Sequence, residues 1–204
     1  MARRGDELRE HILYEAKNVF IEMGFERTSM DVVAARASTS KRSLYAHFES
    51  KDKLFLDVID LARGLYLGRL KTPQDYSEDV AEGAVLFCGR FLQLLLWQPA
   101  LRTCRMTIAE AERLPEAAAR YYDAIFDTTQ QRLAAFLGER GQLNPSTSGD
   151  IARELLGVTV YPHLFRALLG VDKALDDTPD EAAIATDVDL APIRTAAANL
   201  ILVD

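Results

Sequence analysis

Hydrophobic residues along the chain recur at intervals of three and four, and no useful length alternates with period two. The pattern predicts an all-α protein of about nine helices. A first helix is expected from about Asp6 to Met23, with Ile12, Leu13, Ala16, Val19, Phe20 and Met23 on one stripe and Gly24 as its stop. Two very short helices follow. A fourth starts near Lys51, turns Leu54, Phe55, Val58, Leu61 and Ala62 inward and ends before KTPQD. Five more are expected at Ser77–Trp97, Ala100–Arg113, Glu116–Arg140, Ile151–Leu169 and Val188–Val203, the last rich in alanine. GQLNPSTSGD reads as a long polar loop, and Pro162 must kink or break its helix. GVDKALDDTPDEAA reads as an acidic, mobile connection.

The two short helices carry the most information. Thr28 is expected to cap the first of them, with Asp31 completing a shortened capping box and Val33, Ala34 and Ala37 on the buried side. STS makes a tight turn, and Ser40 caps the next helix, KRSLYAHF. Two short helices joined by such a turn, behind a longer one, form a helix-turn-helix candidate. At about 100° per residue, Leu44 and Phe48 share a line toward the core. Arg42, Ser43 and Ala46 then face outward, flanked by Lys41, Tyr45 and His47.

In a major groove the outward trio would meet base edges, Arg42 as a fork on guanine O6 and N7. Phosphates would be met by Thr28, Ser29, Lys41, Tyr45 and His47, and by Lys51 at the start of the fourth helix, where backbone amides also favour an anion. SKRS by itself marks only a solvated face. It is the caps, turn, core positions and flanking donors together that point to DNA.

Charge refines this picture. The net charge is −7. Residues 1–53 hold ten Lys/Arg against nine Asp/Glu, and the remainder fourteen against twenty-two. A near-neutral head on an acidic body suits nucleic acid only if the head gathers its cations on one face. About half of the residues are hydrophobic (49%) and 27% are charged, the balance of a soluble globular protein. No apolar run is long enough to span a bilayer, and the N-terminus lacks the apolar core of a signal peptide, so the expected location is the cytoplasm. Cys88 and Cys104 read as reduced core cysteines, with no metal-like spacing and no cofactor expected.

Gly24, Phe25, Thr28, Val33, Ala34, Ala37, Ser40, Leu44, Tyr45, His47, Phe48 and Lys51 follow one spacing. With it the first fifty or so residues resemble the DNA-binding region of the TetR family of transcriptional regulators. Two departures stand out. Ser38 and Thr39 occupy the turn where the family usually has Gly-Val. A serine there has to adopt a left-handed or bridge conformation at a cost of about 1 kcal/mol against glycine. Arg42 replaces a common glycine or alanine.

LLLWQPALRTCRMTIAEAERLPEAAARYYDAIFD is similar to the C-terminal domain of the AefR-like subgroup. The resemblance implies a DNA-binding domain at 5–65 and an effector-binding and dimerisation domain at 66–204. It further implies a homodimer on a palindromic double-stranded DNA operator, released as a repressor by a small, largely apolar effector. The last two helices, with small residues on apolar faces, suit a dimer interface.

Candidates for the effector pocket are Trp97, Arg102, Arg105, Met106, Tyr122, Phe126, Tyr161 and His163, as polar or aromatic residues amid apolar helices. The plain alternatives are core packing for Trp97 and Phe126, and ion pairs to Glu110 or Glu112 for the two arginines. An enzyme finds little support, since none of His11, His47 and His163 stands in a nucleophile or metal spacing. A sequestering module that no longer binds DNA is the third class.

Overall fold

Gly24 adopts φ 79°, and its amide donates to Phe20 O at 2.8 Å, which closes the first helix, α1 (Ala2–Met23), at the glycine the sequence picks out. The computed structural model describes residues 2–201, with side chains from Gly5 on. The predicted C-terminal end of the last helix, Val203, lies outside them. Three helices follow: α2 (Met30–Arg36), α3 (Lys41–His47) and α4 (Lys51–Leu67). All secondary structure among the described residues is helical apart from one isolated bridge between Trp97 and Leu175.

The chain forms two compact units that do not follow chain order. One joins the residues up to Leu65 with Arg102–Tyr122, and the other joins Tyr66–Leu101 with the residues from Asp123 on. In the first unit Ile12, Ala16, Val19, Val33, Leu44, Leu54, Phe55 and Val58 are buried, as their spacing demands. Three rings mark its centre: Phe25 stacks on Phe20 at 5.7 Å, and both meet the edge of Phe55.

Arg102–Tyr122 comprises most of α6 (Gln98–Ala109) and α7 (Pro115–Tyr122), which sequence assigns to the body. Arg113, between them, lies 4.2 Å from the Phe25 ring centre and bonds Glu110 and Asp52. Arg120 reaches Asp60 at 2.7 Å. These ties span about sixty positions of chain, beyond any local pattern.

The second unit is built on α5 (Val80–Leu96), capped by Asp79, whose carboxylate accepts from the Glu82 amide. Apolar nearly all round, α5 is buried by α8 (Thr128–Gly141), α10 (Tyr161–Leu168), α11 (Ile184–Asp187) and α12 (Ala191–Ile201). The helix α9 (Pro145–Thr159) packs on α8 and α12.

Three expectations need correction. The helix predicted over Glu116–Arg140 is interrupted by a π-helical turn, Asp123–Asp127. The loop predicted at GQLNPSTSGD is mostly helix: Asn144 accepts from the Thr147 amide and Pro145 opens α9, a cap signal masked by the polar composition of the stretch. Glu110, one of the two carboxylates weighed as partners of Arg102 and Arg105, is held by Arg113 at 2.9 Å.

The acidic connection before α12, expected to be mobile, is fastened. Buried Arg90 donates to Pro179 O and to Gln93 Oε1, and Gln93 Nε2 donates to Asp180 O and Asp187. Pro162 acts as expected, separating α9 from α10.

Candidate nucleic-acid interface

The hinge of the head is set by three local devices. Ser29, at φ −113° and ψ 157°, caps α2 by accepting from the Val32 amide at 3.2 Å. Thr28, the expected cap, is instead buried, and its hydroxyl donates to Gly24 O at 2.7 Å. It closes the turn leaving α1, so the cap falls one residue later. Its side chain, expected on a phosphate, is committed inward, and Asp31 is drawn to Lys41 rather than into a capping box.

At the far end of α2, Ser38 N donates to Ala35 O and Thr39 N to Ala34 O, the paired bonds of a Schellman ending. That motif needs a left-handed residue, and Ser38 supplies it at φ 50°, the strain expected of a serine in this turn. Ser40 then caps α3 by accepting from the Ser43 amide at 3.0 Å.

The three devices fix how α3 is presented. Leu44 and Phe48 are buried beneath it, while Lys41, Arg42, Tyr45 and Ala46 are exposed and Ser43 and His47 half-buried. Its cations differ in what holds them. Lys41 Nζ lies 2.8 and 3.1 Å from the two oxygens of Asp31. That hydrogen bond, reinforced by the carboxylate charge, raises the lysine above its ordinary pKa. Arg36 likewise pairs with Glu22, whose pKa its hydrogen bond lowers. Among the described residues, Arg42 has no such partner and is free to meet a ligand.

Lys51 stands at the first position of α4, yet its ammonium donates to Phe25 O at 3.0 Å and lies 4.1 Å from the Phe25 ring centre. Its charge supports the turn after α1, and of the first-turn amides of α4 that of Lys53 already donates to Ser50 Oγ at 3.1 Å.

The eight candidates for an effector pocket divide between the units. Arg102, Arg105 and Tyr122 are exposed and Met106 buried in the first, while Trp97, Phe126 and Tyr161 are half-buried and His163 exposed in the second. Of these, the rings of Phe126 and Tyr161 are brought together, 6.1 Å apart. They extend a run of edge-on contacts from Tyr66 through Phe91. Trp97 lies under Arg69 and joins the backbone bridge to Leu175.

Tyr66, which bonds Thr129 at 3.3 Å and whose pKa is raised by burial, was missed by sequence reasoning, as were Phe91 and Thr129. The available signal was a tyrosine ending the apolar stripe of α4. Burial also raises the Cys88 and Cys104 thiols, and both cysteines are free. Among the described residues no helix is long and apolar enough to cross a membrane, and no cluster of metal-ligating side chains occurs.

Residues 12–58 match the family described as bacterial regulatory proteins, tetR family, and residues 80–191 match the AefR-like transcriptional repressor, C-terminal domain. The HTH-type transcriptional activator FasR of Mycolicibacterium smegmatis is 44% identical over 54 residues, covering 26% of this chain and 25% of that protein. The HTH-type transcriptional regulator QacR of Staphylococcus aureus is 31% identical over 67 residues, 33% of this chain and 36% of that protein. The chain thus spans about a quarter to a third of the length of these relatives. The crystal structure of a TetR transcriptional regulator from Agrobacterium tumefaciens has the same fold, with a TM-score of 0.68 at 22% identity over 94% of this chain and 93% of that one.

Proposed function

The chain belongs to the TetR family of DNA-binding transcriptional regulators, and within it we propose a homodimeric repressor that reads a palindromic operator and is released by a small, largely apolar effector. The observation that carries this reading is Arg42. It is an exposed guanidinium that has no ionic partner among the described residues, on a helix whose opposite side is pinned by Leu44 and Phe48. A fork in that position suits guanine O6 and N7, with Ser43 beside it and Ala46 small enough for close approach.

Ser29, Ser40, Lys41, Tyr45 and His47 surround it as phosphate donors, and Lys51 and Thr28 serve by holding the turn that carries them. Two copies of α3 about 34–36 Å apart would read two half-sites. Val158, Phe165 and Leu169, exposed on and just after α9 and α10, support pairing of two chains through these helices and α12.

The ring run from Tyr66 to Tyr161 supports an apolar effector, which acts only through its different affinity for the DNA-competent and released states. Repression follows the C-terminal family match, and the place of action is the cytoplasm. Selection of bound sequences from a random duplex pool is the test. An enriched inverted repeat is expected, and a pool that enriches nothing overturns the reading. Sedimentation should give a dimer, and a stable monomer at micromolar concentration overturns that part.

A further inference from the structure

We propose that Asp31 sets the DNA affinity of the head by standing in for a phosphate on Lys41. The inference rests on α3 facing DNA, and it concerns a residue that makes no DNA contact itself. Lys41 is the first residue of α3. A cation gains nothing there from the helix it opens, because the first turn of a helix is its positive end. Asp31, in the first turn of α2, is the anion that holds it, with both carboxylate oxygens within 3.1 Å of Nζ.

Both side chains are mostly exposed, at 59% for Lys41 and 66% for Asp31, so the pair is screened and exchangeable rather than structural. The neighbouring cations are disposed differently. Lys51 is taken by backbone carbonyls, and Arg42 has no ionic partner among the described residues. Lys41 is therefore the one cation of α3 held in reserve, and binding any duplex through it means trading a carboxylate for a phosphate.

That exchange offsets the contact on every sequence alike. The interface then behaves as one cation short, and discrimination is left to Arg42. Replacing Asp31 with asparagine keeps the size and removes the competing anion, freeing Lys41 for phosphate.

The test is the salt dependence of binding by the full chain to an operator duplex and to a random duplex. D31N is compared with the wild type, and K41A with K41A/D31N, after thermal unfolding has shown each variant folded. D31N is expected to steepen the slope of log affinity against log salt by about 0.9 and to raise affinity for both duplexes about three- to tenfold near 0.1 M salt. The gain should vanish in the K41A background, because Asp31 acts through Lys41. An unchanged slope in D31N overturns the proposal. So does an equal gain with and without Lys41, which would be a diffuse charge effect. A wild type that binds no duplex overturns the DNA-binding reading itself, an outcome distinct from wild-type binding that D31N leaves unaltered.

Discussion

The turn between α2 and α3 and the connection between α10 and α12 look alike on paper, both polar and poor in regular structure. They are held by opposite means. In the turn, Ser38 and Thr39 bond to Ala35 and Ala34, and Ser29 and Ser40 cap the adjoining helices, all within five positions of chain. In the connection, the carbonyls of Pro179 and Asp180 and the carboxylate of Asp187 are held by Arg90 and Gln93, 87 to 94 positions earlier. Leu190 and Ile184 also close on α5 so tightly that a Cβ on Gly89 would meet Leu190 Cδ2 at 2.5 Å and Ile184 Cγ2 at 3.0 Å. A segment made by its neighbours in sequence can be read. One made by a distant helix cannot.

The comparison breaks most visibly at Gln93. Gln93→Ala strips the Asp180 carbonyl and Asp187 of their donor and Arg90 of an acceptor. It should cost about 2–4 kcal/mol in urea unfolding followed by circular dichroism. A loss below 1 kcal/mol would show that the connection holds itself. Next, Arg42→Ala should reduce discrimination between operator and mismatched duplex by about 1–3 kcal/mol in competition binding, with the fold intact. Unchanged selectivity would remove Arg42 as the base reader.

Ser29→Ala should destabilise the head by about 1 kcal/mol, in the same unfolding experiment, because the Val32 amide in the first turn of α2 loses its acceptor. Ser38→Gly has the smallest expected effect and the opposite sign. Relief of the left-handed serine should stabilise the head by a few tenths to about 1 kcal/mol, reduced by the greater freedom of glycine in the unfolded chain. Destabilisation would mean that the serine side chain contributes more to the turn than its backbone costs.

Much of the head was legible because its determinants are short-range. The stripe of α1, the stop at Gly24, the cap at Ser40, the inward pair Leu44 and Phe48 and the strain at Ser38 all follow from residues a few positions apart. The one local error, Thr28 for Ser29, came from two hydroxyl residues in succession that pattern alone ranks equally. Lys51 is a different case. Its charge reads as available to phosphate, but the aromatic ring and carbonyls that engage it belong to residues 25 and 26. The aromatic run was only half found, since Phe126 and Tyr161 stand out against their helices while Tyr66 and Phe91 blend into apolar stripes.

By itself the sequence determined the helical class, the helix-turn-helix and the outward aim of Arg42, because helical period, capping and backbone sterics act over one or two turns. Only the tertiary structure decided that Arg102–Tyr122 packs with the head, that Lys41 is held by Asp31 and Lys51 by carbonyls, and that the acidic connection is fastened. Those outcomes depend on which charged and polar groups meet across distant chain, and a side chain's availability is set by the partner that folding brings to it.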